Sequence, residues 1–370
     1  MNIAYVHILP IEYYPPATNT IRILASKQDV QLTVWTSKNL KNRQPFECRG
    51  VAIERPQFVV KTDNIFKRVA QSYTWHWYCA RAIKRSKADA IISVEPHSAL
   101  AVWFYYYLLG GRAKLFIHHH EYYAPVDYQR KGMRNVQLAS KLEKKHLFPR
   151  ALWISQTNEN RLQFLQRDNP KLATAKLKVW PNYPPRSWHP ESTATKKTKP
   201  VRMLFVGSAS FRDTYIKEIV EWVARHPDDV TLMISGYNIE PAIWEWLNKM
   251  AYPNVATNPK GWSYDELPQQ LGKYDVGLIL YRGNTINFIY NAPNKLFEYW
   301  AAGLETWYPQ EMKQISEFAE RQPTPPLRKM DFSSLDDFQP PVLIPPEAKT
   351  TGSDYSCEAA IAPLLDQLSL

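Results

Sequence analysis

A proline-dense stretch, Trp180-Pro-Asn-Tyr-Pro-Pro-Arg-Ser-Trp-His-Pro190, runs into the polar segment Glu191-Ser-Thr-Ala-Thr-Lys-Lys-Thr-Lys-Pro200 and splits the chain in two. Its prolines fix φ and remove backbone donors, so they forbid regular structure, and the polar tail cannot enter a core. On both sides, short apolar runs alternate with helical patterns, which is the signature of parallel α/β sheets. In the first half strands are predicted near 2–8, 31–36, 89–94, 113–117, 151–155 and 176–180, and helices over 18–27, 65–86, 97–109, 136–148 and 158–167. The pattern restarts with a strand at Val201–Val206, a turn from Gly207 to Arg212, a helix over 213–226, and a strand at Val230–Ser235 closed by Gly236. Strands near 254–257 and 275–280 follow, with helices near 240–249, 264–271 and 294–302. Beyond about residue 321 the pattern weakens, until Cys357–Leu368 reads as a C-terminal helix. The expected class is therefore α/β, with a domain over 1–185, a linker over 186–200, a second domain over 201–355 and a helix in 356–370. Two such domains place a ligand cleft between them, because these sheets bind ligands outside their strand C-termini.

Composition narrows the function classes. The 370 residues are 45% hydrophobic and 22% charged, which excludes a mostly disordered chain. Only 12 glycines stand against 29 prolines, where average usage gives roughly 26 and 18, so each glycine kept deserves attention. Three scattered cysteines (Cys48, Cys79, Cys357) supply neither a disulfide framework nor a zinc site and imply a reducing compartment. The longest apolar run, Ala99 to Leu109, is half the length a bilayer needs, and the N-terminus reads as a buried strand rather than a signal peptide. The expected location is the cytoplasm, either free or attached peripherally to the inner membrane face.

The net charge of +11 is distributed unevenly: residues 1–190 carry 29 Lys+Arg and 12 Asp+Glu, or +17, and the remainder carry 17 and 23, or −6. The densest basic clusters are Arg81 to Lys87 and Arg130 to Arg150, with Tyr73, Trp75, Trp77, Tyr78 and Tyr105 to Tyr107 nearby. A solvated helix face and docking on an anionic membrane both fit this pattern, each Lys or Arg being worth roughly 1 kcal/mol at such a surface. Nucleic acid is not an expected partner, since no RNP, KH, zinc-finger or helix-turn-helix signature accompanies the charge.

The most informative segment is Tyr290-Asn-Ala-Pro-Asn-Lys-Leu-Phe-Glu-Tyr-Trp-Ala-Ala-Gly303. Pro293 is preset for a helix start, leaving the amides of Asn294, Lys295 and Leu296 without intrahelical acceptors. Such a helix end binds phosphate, and Lys295 adds a full charge. Glu298, one turn in, is placed to accept hydrogen bonds from sugar hydroxyls, and Ala301, Ala302 and Gly303 allow close packing. The competing reading is an i, i+3 ion pair on a surface helix, worth a few tenths of a kcal/mol. Pro293 and the small residues favour the binding site.

This segment resembles the Pro-Asn-Lys-x-x-Glu-Tyr-x-Ala-Ala-Gly helix of the GT-B-fold glycosyltransferases, specifically the retaining family 4 (glycosyl transferases group 1). The resemblance continues through most of the chain in order: His120-Glu121 after a strand, Ile154-Ser-Gln-Thr-Asn158 through Arg161, Val179-Trp-Pro-Asn182, Phe205-Val-Gly207-Ser208, Gly261-Trp262 with Leu267, and Tyr274-Asp275-Val-Gly-Leu. It implies GT-B architecture, two Rossmann-like domains across a cleft, and transfer of a sugar from a nucleotide-sugar donor to a glycan or lipid-linked acceptor, with retention, in bacterial-type surface polysaccharide or glycolipid synthesis. It further implies a diphosphate held by Ala292, Pro293, Asn294, Lys295 and Leu296, phosphate contact at Gly207 and Ser208, and a base near Tyr237 and Trp262. Lys295 and Glu298 then act on the donor and His120 lies near the transferred sugar.

Three departures accompany the resemblance. The glutamate expected eight positions before Glu298 is Tyr290, and the usual proline after Ala-Ala-Gly-Leu is Glu305. The basic pair that grips the phosphates has only Arg212 and Lys217 as candidates. Tyr290 and Glu305 keep open a catalytically idle GT-B scaffold, whereas a sugar-nucleotide epimerase lacks the paired acids it needs. No catalytic base stands out, which is consistent with retention, the departing phosphate oxygen helping to deprotonate the acceptor hydroxyl. Donor-phosphate charge is met by Lys295, the helix end and an Arg or Lys of 212–217, so no metal or other cofactor is expected. The run His118, His119, His120 is not read as a metal site, because alternate strand residues face opposite ways. Tyr13 and Tyr14, on the first loop, either stack on a sugar or pack that loop.

Overall fold

The computed structural model describes residues 1–38, 44–56, 65–130, 132–188, 200–236, 238–321, 325–340 and 355–370. Two compact units form: Met1–Pro181 with Ala360–Leu370, and Asn182–Ala359. The division falls within the proline-dense stretch, where Arg186–Trp188 makes one 3₁₀ turn. Of the expected linker, 189–199 lies outside the described residues.

The first unit is built on strands β1 (Asn2–His7), β2 (Gln31–Thr36), β3 (Ala52–Glu54), β4 (Ala90–Val94), β5 (Lys114–His119), β6 (Trp153–Gln156) and β7 (Leu177–Val179). They form one parallel sheet in the order β3-β2-β1-β4-β5-β6-β7. Central strands such as β4 are buried on both faces, which is why they read as continuous apolar runs rather than alternating ones. The chain's last helix, Cys357–Leu368, returns to this unit. Its Ile361, Leu364, Leu365 and Leu368 recur at helical spacing and pack with Ile21, Leu24, Trp153 and Trp180.

The second unit has β8 (Val201–Val206), β9 (Val230–Ser235), β10 (Val255–Asn258), β11 (Val276–Leu278), β12 (Glu305–Pro309) and β13 (Leu327–Met330), all parallel, in the order β10-β9-β8-β11-β12-β13. Each sheet reverses its winding direction once, between β1 and β4 and between β8 and β11. These switch points are where doubly wound sheets bind ligands. The expected helix over 213–226 begins only at Ile216, because residues 213–215 are tied to the exit of β11. Tyr215 N–H donates to Leu280 O (2.8 Å), and Thr214 forms an antiparallel bridge with Tyr281.

Strands β3, β12 and β13 go beyond the sequence reading. In β12 the polar Glu305 and Thr306 are fully buried, which hides the apolar pattern. Glu305 stands where the resemblance has a proline, and its Oε1 accepts from Trp307 Nε1 (2.8 Å) and Arg328 Nε (2.7 Å), joining β12 to β13. This departure from the family pattern is structural.

Candidate functional site

At the second unit's switch point, Tyr299 fastens the helix Asn294–Ala301 to the sheet. Its Oη accepts from Val206 N–H at 3.1 Å and lies 3.5 Å from Leu278 O, so one side chain joins the ends of β8 and β11. Its ring fills the space over Gly277, where a Cβ would lie 2.3 Å from the ring carbons. Tyr299→Phe should cost about 1–2 kcal/mol by leaving Val206 N–H without its acceptor. Thermal unfolding should then show a Tm lower by roughly 2–8 °C, and an unchanged Tm would remove this role.

The helix start differs in detail from expectation. Pro293 is the N-cap, not the first helical residue, and Leu296 N–H donates to Pro293 O at 3.0 Å. At this helix start the amides of Asn294 and Lys295 have no backbone acceptor among the described residues. Ala292, Leu296 and Glu298 are buried. Lys295 Nζ pairs with Glu298 Oε2, the ammonium 22% exposed and the carboxylate 1%, so this is no surface pair. Glu298 Oε1 is buried with no hydrogen-bond partner. Gly303, at φ +80°, closes the helix: it donates to Trp300 O, while Leu304 donates to Tyr299 O. That Schellman closure, rather than close packing, is what requires glycine there.

Beside Val206, Gly207 N–H donates to Ser235 O (3.1 Å) and Ser208 Oγ accepts from Asn238 Nδ2 (3.1 Å). Gly236 allows this approach, since a Cβ on it would stand 2.1 Å from Gly207 O. Arg212 is 91% exposed beside Asp213 (4.0 Å), and Lys217, 55% exposed, pairs with Glu221 (3.7 Å). Neither is held at the strand ends. The basic group that is held there is Arg282, which the sequence reading passed over. It bonds Thr214 O (3.1 Å), pairs with Glu218 and lies 4.4 Å from the Tyr215 ring centroid. Trp262 is half-buried with its ring 6.5 Å from that of Tyr274, and Tyr290 ends the short helix Ile286–Ile289. Tyr237 lies outside the described residues.

In the first unit the histidines alternate. His118 and His120 share one face with rings 4.5 Å apart, and His118 Nδ1 meets Ser155 Oγ at 2.9 Å. His119 faces the other way and pairs with the fully buried Glu143 (3.0 Å). Burial opposes the charge on His119, but the Glu143 carboxylate outweighs it and the pKa is raised. Burial and the neighbouring His120 hold His118 well below the usual imidazole range, and His7 is lowered to about 3 by burial and His120. Tyr14 stacks on His120 (5.8 Å) and meets His7 edge-on (4.6 Å), so it packs the first loop against the histidines. Among the described residues no group of three His, Cys, Asp or Glu side chains is arranged to hold a metal.

His120 itself is gripped through its backbone. Its N–H donates to Glu95 Oε1 (2.6 Å) and its carbonyl accepts from Arg161 Nη1 (2.7 Å). Arg161, 1% exposed, also reaches Thr157 Oγ1 (3.0 Å) and Glu121 Oε2 (3.5 Å). It sits on the helix Glu159–Asp168, which Asn158 caps by accepting from Arg161 N–H. Glu95, just past β4, is 2% exposed and has φ 62°, ψ 150°. That region is nearly confined to glycine and costs a side-chain-bearing residue about 1–3 kcal/mol. Nothing in Val94-Glu95-Pro96 signals this conformation, because the partners that hold it, the amides of His120 and Glu121, lie 25 and 26 residues away.

The sequence matches no protein-family model and no curated protein. Solved structures do resemble it. HepE of Anabaena, solved in complex with UDP-glucose, is 11% identical with a TM-score of 0.65, covering 100% of this chain and 99% of that one. WaaG, a glycosyltransferase involved in lipopolysaccharide biosynthesis, is 13% identical with a TM-score of 0.58, over 99% of this chain and 92% of that one. The chain has the GT-B fold. A putative UDP-N-acetylglucosamine 2-epimerase from Listeria monocytogenes shares it as well, at 11% identity and a TM-score of 0.53, covering 100% of this chain and 88% of that one. The GT-B fold therefore leaves the reaction to be argued from the residues.

Proposed function

We propose that this GT-B protein is a glycosyltransferase that moves a sugar from a nucleotide-sugar donor to a glycan or lipid-linked acceptor. The observation that carries the reading is the pair of half-buried Lys295 and buried Glu298 at an open helix N-terminus, fastened to the second unit's switch point. The amides of Asn294 and Lys295, with the lysine ammonium, stabilise negative charge developing on a diphosphate leaving group. Glu298 Oε1, desolvated and lacking a donor, gains a hydrogen bond from a donor-sugar or ribose hydroxyl. Gly207 and Ser208 flank the phosphates, and Trp262 lies on the base side. With no second carboxylate at Tyr290, retention is assigned to same-face attack assisted by the departing phosphate. Charge on the leaving group is met by protein cations, so EDTA should leave turnover unchanged. Release of nucleotide from UDP-glucose, UDP-galactose or GDP-mannose, with and without a glycan acceptor, tests the reading. No release from any of them would favour the idle scaffold.

The acceptor is assigned to an anionic membrane surface. No helix among the described residues is long and apolar enough to cross a membrane, so attachment would be peripheral. On the helix Ile65–Arg85, Tyr73, Trp77, Arg81 and Arg85 recur every four residues, and Tyr73 and Trp77 are exposed. Exposed Tyr107 and Leu108 follow on a second element, with Arg150 over the Tyr107 ring at 5.6 Å. An aromatic surface edged by cations suits a headgroup layer. The protein should sediment with anionic phosphatidylglycerol vesicles and be released by salt, whereas equal binding to neutral phosphatidylcholine vesicles would contradict the electrostatic basis.

A further inference from the structure

Glu95 brings together features that each oppose stability: backbone in a glycine-only region, a carboxyl buried at the end of a central strand, and an Oε2 with no hydrogen-bond partner. Its Oε1 accepts from two consecutive amides, those of His120 (2.6 Å) and Glu121 (3.2 Å). Arg161 holds the opposite side of the same residue, at His120 O. A single peptide at the carboxyl end of the sheet is thus fixed from both sides by buried ionisable groups, one of them kept in a strained conformation to reach it. Strain of this kind persists where the surroundings over-determine it, and it gathers at functional sites.

We infer that Glu95 is a positioning residue for the transfer: its carboxylate, opposite Arg161, fixes the His120–Glu121 turn so that the His120 ring is presented to the reacting sugar. This rests on the glycosyltransferase reading and adds a residue that neither the motif nor the resemblance supplied. Hydrogen bonds to an ionised acceptor are about twice as strong as neutral ones, so the grip depends on the charge of Glu95. Burial raises its pKa to about 7, opposed by His119 and by the two amide hydrogen bonds and reinforced by Glu121. The other titratable groups facing it are Tyr5 of β1 and Tyr123 and Tyr128 beyond β5. As pH falls through about 7 the carboxyl gains a proton, the grip weakens and turnover falls.

The test compares wild type, Glu95→Gln and Glu95→Ala by nucleotide release across pH 5.5–8.5 and by hydrogen exchange of residues 117–124. Wild type should show an acid limb near pH 7. Glu95→Gln should have lost that limb and run flat at the wild type's low-pH level, about 3–10-fold below its pH 8 rate. Glu95→Ala should fall about 10–100-fold in kcat, with donor KM unchanged, and exchange the His120–Glu121 amides at least tenfold faster. A merely structural role would lower all rates without changing the pH profile, and that result, or unchanged exchange in Glu95→Ala, overturns the inference. If exchange responds as stated but wild type turns over no donor, the grip is real while the transfer reading and the role assigned within it fail.

Discussion

Lys295→Ala is expected to lower donor turnover about 100–1,000-fold, the loss typical when one preorganised charge-stabilising group is removed. The same change leaves Glu298, 1% exposed, without its counter-charge. Breaking a fully buried pair costs about 3–5 kcal/mol. Because the lysine is 22% exposed, about 1–3 kcal/mol is expected here. The two effects separate in the double variant Lys295→Ala/Glu298→Gln. A neutral amide no longer needs a cation, so stability should return toward wild type while turnover stays low. Thermal unfolding with nucleotide release on both variants checks this. Recovery of turnover along with stability would show that Lys295 acts through the fold alone.

Arg161→Ala is the second large effect. Arg161 is 1% exposed and makes its shortest bonds to His120 O and Thr157 Oγ1, at 2.7 and 3.0 Å. Truncation strands both acceptors and opens a cavity, for a loss of about 3 kcal/mol. For a unit of this size that corresponds to a Tm lower by roughly 6–12 °C. Arg161→Lys should recover only part of it, because one ammonium cannot reproduce the guanidinium fork. A Tm within 2 °C of wild type for Arg161→Ala would show that the His120 turn is held by other means.

Local chemistry makes much of this legible in the sequence. The alternation of β4 and β8 with helices predicted two parallel sheets, and the segment from Pro293 to Glu298 predicted a helix with open amides. The same segment hid its long-range consequences. Nothing in Glu298-Tyr299 says that the tyrosine reaches Val206, 93 residues earlier, or that the glutamate is buried. The grip on His120 was less legible still, since Glu95 lies 25 positions away in sequence and Arg161 lies 41. Strand β12 escaped because Glu305 and Thr306 are buried polar residues whose partners, such as Arg328, come from elsewhere. Arg282 sits in a stretch without a periodic signal and acquires its place only through Thr214, Tyr215 and Glu218.

The central claim is that the Lys295 helix end receives the diphosphate of a nucleotide donor, and calorimetric titration of the intact protein with UDP, GDP and CMP tests it most directly. The account predicts that a nucleoside diphosphate binds wild type and that its affinity falls at least 30-fold in Lys295→Ala/Glu298→Gln, about 2 kcal/mol. Equal affinity for wild type and the double variant, or no binding of either UDP or GDP to wild type, would contradict it.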